Sequence, residues 1–373
     1  MPSFQTATDT TDDLFYATYS TARQAWREAV QARGGAIDSQ QHPLTGPEGE
    51  PLWMDLARFG DPLAGRALVI ACGTHGIEGY AGSAVQTAWL RLGGPGALPA
   101  GCAVLLIHAV NPWGFAYRQR VTENNVDLNR NFTGFPRPAG SANSGYAELH
   151  PQLQLRDWSE AEIARAFAAM DAFRLRVGEK AFSDAFNGGQ HLHCDGIFYG
   201  GSAPEWSNQA LRRLLRRHLC DARQGLFVDL HTGIGPYGQP FLINFDAPGS
   251  PARERALRIW GEEALSGKGS THAAFASFQG VLIDALAEEL PGCELSSVVV
   301  EFGTHERRRM QRAHLALMWL RRQRGNGEAV QRARAEYLEA FIPADPAWRR
   351  SVLDGGVALC ARACAALLDE AGA

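Results

Sequence analysis

Three short apolar runs in this chain each end in residues able to hold a metal or move a proton, and no other feature restricts its folding so tightly. Ala67 to Cys72 leads into Gly73-Thr74-His75-Gly76-Ile77-Glu78-Gly79, Gly225 to Leu230 leads into His231-Thr232-Gly233, and Ser296 to Val300 leads into Glu301-Phe302-Gly303-Thr304. Mostly apolar runs of this length read as strands buried on both faces, the pattern of a parallel sheet. Helical patterns separate them at Gly79 to Leu92, Glu160 to Lys180, Pro204 to Cys220, near Ala252 to Leu265 and near Ser277 to Leu290. Such alternation predicts an α/β fold, a mixed, mostly parallel twisted sheet with helices on both faces.

Pro51 to Phe59, Cys102 to Val110 and Pro240 to Phe245 read as further strands. An amphipathic helix is expected over Asp12 to Arg33, with Leu14, Tyr19, Ala22, Trp26 and Val30 at helical spacing. Asn111 to about Pro151 is rich in Asn, Gly, Pro and Ser without a sustained period and reads as a long ordered loop. Beyond about Arg307 the chain is helical, with breaks expected near Gly325, Pro343 to Pro346 and Gly355-Gly356. At 373 residues two or three domains would fit, but large α/β enzymes often reach this size as one. The expectation is a single domain over 1–373, with a core at about 67–304 and C-terminal helices at about 305–373.

Charge and cysteine usage narrow the function classes. With 36 Lys and Arg against 40 Asp and Glu, the net charge of -4 gives no electrostatic reason to expect nucleic acid or an anionic membrane surface. Two arginine clusters, Arg212/Arg213/Arg216/Arg217 and Arg307/Arg308/Arg309, fall at helical spacing and read as solvated helix faces. The start, Met1-Pro2-Ser3-Phe4-Gln5-Thr6, lacks the basic-then-apolar pattern of a secretory signal, and the strand-like apolar runs are too short to span a bilayer. Seven scattered cysteines do not form a disulfide framework, so a reducing cytoplasm is expected. Cys360 and Cys364 read as small buried thiols of a helix.

The chemistry follows from where the polar residues stand. Parallel α/β sheets place their sites at the carboxyl ends of strands, and neighbouring parallel strands would bring the three run ends together. A His and a Glu three apart in a glycine-rich turn can aim nitrogen and oxygen at one point, which borderline-soft Zn²⁺ accepts. A catalytic zinc keeps three protein ligands and one water, whose pKa falls to about 7. His75, Glu78 and His231 are the expected ligands of one Zn²⁺ per chain, and Glu301 is the expected general base.

The long loop adds Asn111-Pro112-Trp113-Gly114-Phe115, Arg118, Arg120 and Val126-Asp127-Leu128-Asn129-Arg130-Asn131-Phe132. His-x-x-Glu, Asn-Pro-x-Gly, Asp-Leu-Asn-Arg-Asn-Phe, a later Asp-Leu-His and a final Glu-Phe-Gly, in this order over about Ala67 to Thr304, resemble the zinc carboxypeptidase superfamily, which includes the aspartoacylase and succinylglutamate desuccinylase branch. The resemblance is nearest to a bacterial branch of that superfamily. It implies the same three zinc ligands and the same base. It further implies that Asn129 and Arg130 hold a substrate carboxylate, which an Arg fork matches bidentately, and that Arg120 polarises the scissile carbonyl, with Arg118 two residues away as the competing choice. The superfamily's tyrosine near the leaving group has no motif here; Tyr237 and Tyr199 stand in glycine-rich loops and are not assigned.

Several patterns are set aside. Gly233-Ile234-Gly235-Pro236-Tyr237-Gly238 fits a dinucleotide fingerprint, but a strand and not a helix is expected after it. His191, His193 and Cys194 sit in a loop and read as no second metal site. His42, His108, His150, His218, His272, His305 and His314 show no partner in sequence and default to core or surface roles. The expected reaction is hydrolysis of an amide next to a free carboxylate, with a small peptide or an N-acyl amino acid as substrate. A silent carboxylate-binding protein is the alternative, weakened because a binder has no need of Glu301. Oligomeric state is not legible.

Overall fold

The computed structural model describes residues 14–137, 143–261, 265–267 and 276–369. The polar start, the first residues of the expected opening helix, part of the long loop, the end of the helix expected near Ala252 to Leu265, and His272 lie outside these. Eight described strands form one sheet: β1 (Ala36–Thr45), β2 (Pro51–Gly60), β3 (Arg66–Cys72), β4 (Cys102–His108), β5 (Gln224–Gly233), β6 (Pro240–Asn244), β7 (Leu265–Gly267) and β8 (Glu294–Gly303). Their order is β1-β2-β4-β3-β5-β8-β6-β7. The middle, β4-β3-β5-β8, is parallel, whereas β1 and β2 on one side and β6 on the other run antiparallel to their inner neighbours.

Alternate residues of the central strands feed opposite layers, as the two-residue period of a strand requires. Leu68, Ile70, Val228, Leu230, Val298 and Val300 pack with the helices Tyr19–Ala32, Gly79–Arg91 and Pro346–Asp369. Val69, Ala71, Phe227, Leu105 and Ile107 pack on the other face with Trp206–Leu219 and Leu282–Glu289. A separate apolar cluster joins Ser144–Leu153, Glu160–Val177 and Glu179–Asn187 to Arg307–Leu320 and Glu328–Phe341, forming a helical lobe at the carboxyl ends of the strands. The arginine-rich face of Trp206–Leu219 is solvated and paired: Arg212 and Arg216 meet Glu289 at 2.8 and 2.5 Å, and Arg217 meets Asp38 at 2.7 Å.

The structure departs from the sequence reading in several places, among them the helix expected over Glu160 to Lys180, which is two helices, Glu160–Val177 and Glu179–Asn187. β1 is an edge strand with mostly exposed, polar residues, so it carries no apolar period to detect. Ser144–Leu153 is a helix inside the expected loop, capped by the Asn143 side chain, which accepts from the Tyr146 amide at 2.9 Å. β7 has three residues, too few for a pattern. The expected break at Gly355-Gly356 is absent, and the helix Pro346–Asp369 runs through it. A Cβ on Gly356 would lie 2.5 Å from Val85 Cγ2, so this glycine lets two helices approach rather than ending one. Composition alone would also let Glu328–Asp369 cross a membrane, yet Val352, Leu353, Leu359 and Leu367 of its last helix are buried in the sheet layer.

Gly82 is a second close approach. A Cβ there would meet Cys72 Cβ at 2.5 Å and Leu230 Cβ at 3.4 Å, at the point where the Gly79–Arg91 helix crosses β3 and β5. Alanine ordinarily gains about 1 kcal/mol over glycine inside a helix, whereas overpacking a core costs about 1–3 kcal/mol. Gly82→Ala is therefore expected to lower stability in urea unfolding; a gain would show that the helix can shift away from the sheet.

Candidate active site

The loop after β3 is short and held from both ends. Gly73, at φ 70°, turns the chain in the left-handed region, and His75 precedes a single 3-10 turn, Gly76–Glu78, that runs into the helix Gly79–Arg91. The Gly76 and Ile77 amides donate to the carbonyls of Arg120 and Gln119 at 3.2 and 2.9 Å, tying the Arg120 segment to this loop. His231 and Glu301 lie within β5 and β8 rather than past their ends, because the two strands stay paired through Gly233 and Gly303. His231 and Glu301 are direct register partners in that parallel pair. Neighbours in register share a sheet face, so one pairing step sets the two side chains together.

His75, Glu78 and His231 come together, each buried, with ligand atoms within 4.8 Å of one another. His231 Nδ1 lies 2.9 Å from Glu78 Oε2 and 3.1 Å from His75 Nδ1, and His75 Nδ1 lies 3.0 Å from Glu78 Oε1. The outer nitrogens are also engaged. His231 Nε2 faces Asp229 Oδ2 at 2.8 Å, and His75 Nε2 faces Asp127 Oδ1 at 3.0 Å. Arg120 Nη2 also reaches His75 Nε2 at 2.8 Å. Guanidinium and carboxylate therefore compete there, and with the proton on Nε2 the carboxylate is the partner.

This arrangement supplies the test of whether the residues fit a metal. A neutral ring donating to Asp229 through Nε2 has only a lone pair at Nδ1, here 2.9 Å from a carboxylate oxygen. Lone pair against carboxylate is repulsive unless a cation lies between. The same demand appears in the acidity of His231: burial opposes its charged form, yet Asp229 and Glu78 raise its pKa well above the usual histidine range. A proton can meet the demand at one ring, whereas a divalent ion meets it at both. Two nitrogens and one carboxylate are a zinc donor set, with carboxylate-held histidines behind it, so the residues fit.

Around this centre stand the other expected residues. Glu301 is buried, and its Oε2 accepts from the Ile234 amide at 3.3 Å. Burial, and then the neighbouring Glu78 carboxylate, raise its pKa. Glu78 moves the other way: burial would raise it, but His75 and Arg120 hold its carboxyl well below the ordinary range. Arg120 reaches Glu78 Oε1 through Nη1 at 2.6 Å and Asp127 Oδ2 at 3.3 Å. Arg118 turns away, at φ 51°, and donates to the Ala17 carbonyl at 2.6 Å, so Arg120 is the one beside the donor set.

A cavity of about 460 Å³ joins His75, Arg120 and Glu301 to Asn129 and Arg130. Asn129 Oδ1 accepts from the Leu282 amide at 2.9 Å. Arg130 lies between the rings of Phe198 and Phe278, at 5.4 and 4.7 Å, and donates only to carbonyls, of Asn129 at 2.6 Å and Asn187 at 2.7 Å. Its Nε has no partner, and no carboxylate pairs with it among the described residues. Burial pulls its pKa down to about 10, which leaves it charged at neutral pH.

Asp127 and Asp229 were quoted in the sequence motifs without a role. Asp229 carried a signal, since it stands two residues before His231 on one strand and so on the same face. Tyr199 and Tyr237 do not line the cavity, and Tyr237 is 44% exposed, donating to Asp345 at 3.1 Å. The glycine run after β5 leads into β6, with no helix N-terminus to receive a phosphate. His191 bonds the Gly201 carbonyl at 2.7 Å, and Cys194 is exposed. His193 does come within reach of His150 and Asp195. Its ring stacks on His150 at 3.9 Å and 18°, so their in-plane lone pairs run side by side and do not converge on one ion.

The architecture is that of the metallocarboxypeptidases, a zinc carboxypeptidase-like α/β fold. Thrombin activatable fibrinolysis inhibitor aligns at 14% identity over 97% of this chain and 78% of its own, with a TM-score of 0.51. The carboxypeptidase A of Helicoverpa armigera covers 97% and 77% at 12% identity and a TM-score of 0.46, and a metallo-carboxypeptidase from Burkholderia cenocepacia covers 96% and 70% at 12% and 0.46. No curated protein matches in sequence. The chain belongs to the family described as "Protein of unknown function (DUF2817)", whose profile matches residues 15–355.

Removing the carboxylate behind a ligating histidine typically weakens a metal site roughly 10- to 100-fold. Asp229→Ala is expected to weaken zinc binding by that factor in competition with a chromogenic chelator. Unchanged affinity would mean that Asp229 does not orient His231.

Proposed function

We propose that this protein is a zinc-dependent hydrolase of the amide bond next to a free carboxylate, in the manner of a carboxypeptidase. One observation carries the reading. A single cavity is lined by His75, one of the His75, Glu78 and His231 donor set, by Glu301 and by the buried guanidinium of Arg130, which pairs with no carboxylate among the described residues.

Zinc held by those three residues would lower the pKa of a water molecule to about 7 and polarise a carbonyl. The protein's own groups do the rest. Arg130 and Asn129 bind the substrate's terminal carboxylate, and a buried cation without a counter-ion is a strong anchor for one. Anchoring the carboxylate in the cavity that Glu301 also lines converts a bimolecular encounter into a positioned one. Glu301 takes a proton from the attacking water at its carboxylate oxygen and returns one to the leaving nitrogen. Its raised pKa makes the protonated form accessible for that return. Arg120, packed over Phe198 and Phe341 at 5.4 and 5.9 Å, offers its guanidinium to the oxygen on which negative charge develops.

An N-acyl amino acid deacylase would use the same anchor and the same base; the two readings differ only in what lies beyond the acyl carbonyl.

Glu301→Gln should reduce kcat on an acylated or peptidyl amino acid roughly 100- to 10,000-fold while zinc content stays at one equivalent. Retained turnover would remove Glu301 from the mechanism. Arg130→Ala should raise KM for a free-carboxylate substrate by roughly 10- to 100-fold, the worth of a charge-assisted hydrogen bond, and leave the weak turnover of the corresponding C-terminal amide unchanged. Equal losses on both substrates would mean that Arg130 supports the fold and does not read the carboxylate.

A further inference from the structure

One wall of the cavity is a helix whose polar groups the chemistry above does not use. Arg307, Met310, Gln311 and His314 of Arg307–Leu320 all line it, the i, i+3, i+4, i+7 set of one helical face. Two of them have partners: Arg307 pairs with Glu179, and Met310 Sδ accepts from the Thr304 hydroxyl at 3.3 Å. Gln311 and His314 have no hydrogen-bond partner among the described residues. Gln311 is 7% exposed, and a side-chain amide so buried is nearly always paired. Its open face is the cavity.

Their place in the cavity is on the Arg120 side. The His314 ring lies 5.7 Å from Phe341, over which Arg120 sits, and 4.6 Å from Phe198, which borders both Arg120 and Arg130, whereas Phe278 borders Arg130 and not Arg120. Burial and the Arg120 charge push the His314 pKa down to about 3, so its ring is neutral. A neutral imidazole offers one donor and one acceptor, and a glutamine amide offers both kinds again. An anion would use only the donors of such a pair and a cation only the acceptors; a neutral amide, which itself donates and accepts, uses both.

Resting on the hydrolase reading for the position of the carboxylate at Arg130, we infer that Gln311 and His314 form a subsite for a second, uncharged amide on the acyl side of the scissile bond. The substrates are then peptides, with consecutive amides, and not amino acids carrying a simple acyl group.

The test uses two probes with the same leaving residue, N-benzoylglycyl-phenylalanine and 4-phenylbutanoyl-phenylalanine, in which methylenes replace the benzamide group. Binding is measured by calorimetry to the zinc-loaded full chain carrying Glu301→Gln, with or without Gln311→Met or His314→Phe, and each variant's melting temperature and zinc content are recorded. The benzamide probe is expected to bind roughly 10-fold tighter than its methylene counterpart. Each variant should cancel that preference and leave the methylene probe within about twofold of the parent. Equal affinities in the parent, parallel weakening of both probes in the variants, or no binding of either probe overturns the inference. Turnover by the unsubstituted chain is read separately. A preserved affinity ratio without hydrolysis would uphold the amide subsite and sink the hydrolase reading.

Discussion

Two hydrogen bonds from imidazole to carboxylate, Asp127 to His75 and Asp229 to His231, govern what the rest of the site can be. Each holds the outer nitrogen of a ring and so turns the inner nitrogen toward Glu78. Both aspartates are fully buried, and Glu78 is nearly so, which puts three carboxylates in a water-poor pocket. Burying an uncompensated charge is costly, so this cluster is stable only with cations among it. Arg120 supplies one, reaching both Glu78 and Asp127. The histidine nitrogens ask for the other, and a divalent ion suits their number and softness.

The sheet and the helical lobe divide the work. Register in the sheet sets Glu301 beside His231 and so fixes this carboxylate relative to the donor set. The lobe, assembled from segments on either side of the last four strands, supplies part of the cavity wall and meets the sheet over Arg120. Tyr337 of the lobe accepts from the Arg120 amide at 2.7 Å, so lobe packing and the orientation of this guanidinium are coupled. On the proposed reading, the subsite of Gln311 and His314 lies on an element apart from the candidate metal ligands and Glu301, so that one can change without the other.

Much of this was legible residue by residue. The mostly apolar runs leading to His75, His231 and Glu301 marked the central strands, because a strand buried on both faces has few polar positions along it. What stayed hidden had physical causes. β1 is polar because an edge strand has little surface to bury, and Gly355-Gly356 resembled a break because glycine signals both a turn and a close contact. His314 looked like any of several unpartnered histidines, since nothing in a linear pattern says that its helix face lines a cavity.

The sequence by itself determined the strand-and-helix alternation and the candidate donors His75, Glu78 and His231, since these depend on local periodicity and on side-chain chemistry, and the ordered motifs of the resemblance singled out Arg130. Tertiary structure alone decided the partners. It chose Arg120 over Arg118, recruited Asp127 to aim the His75 ring, and turned Gln311 and His314 into the cavity. Those outcomes depend on distances between segments some fifty to more than two hundred residues apart, and no local preference encodes them.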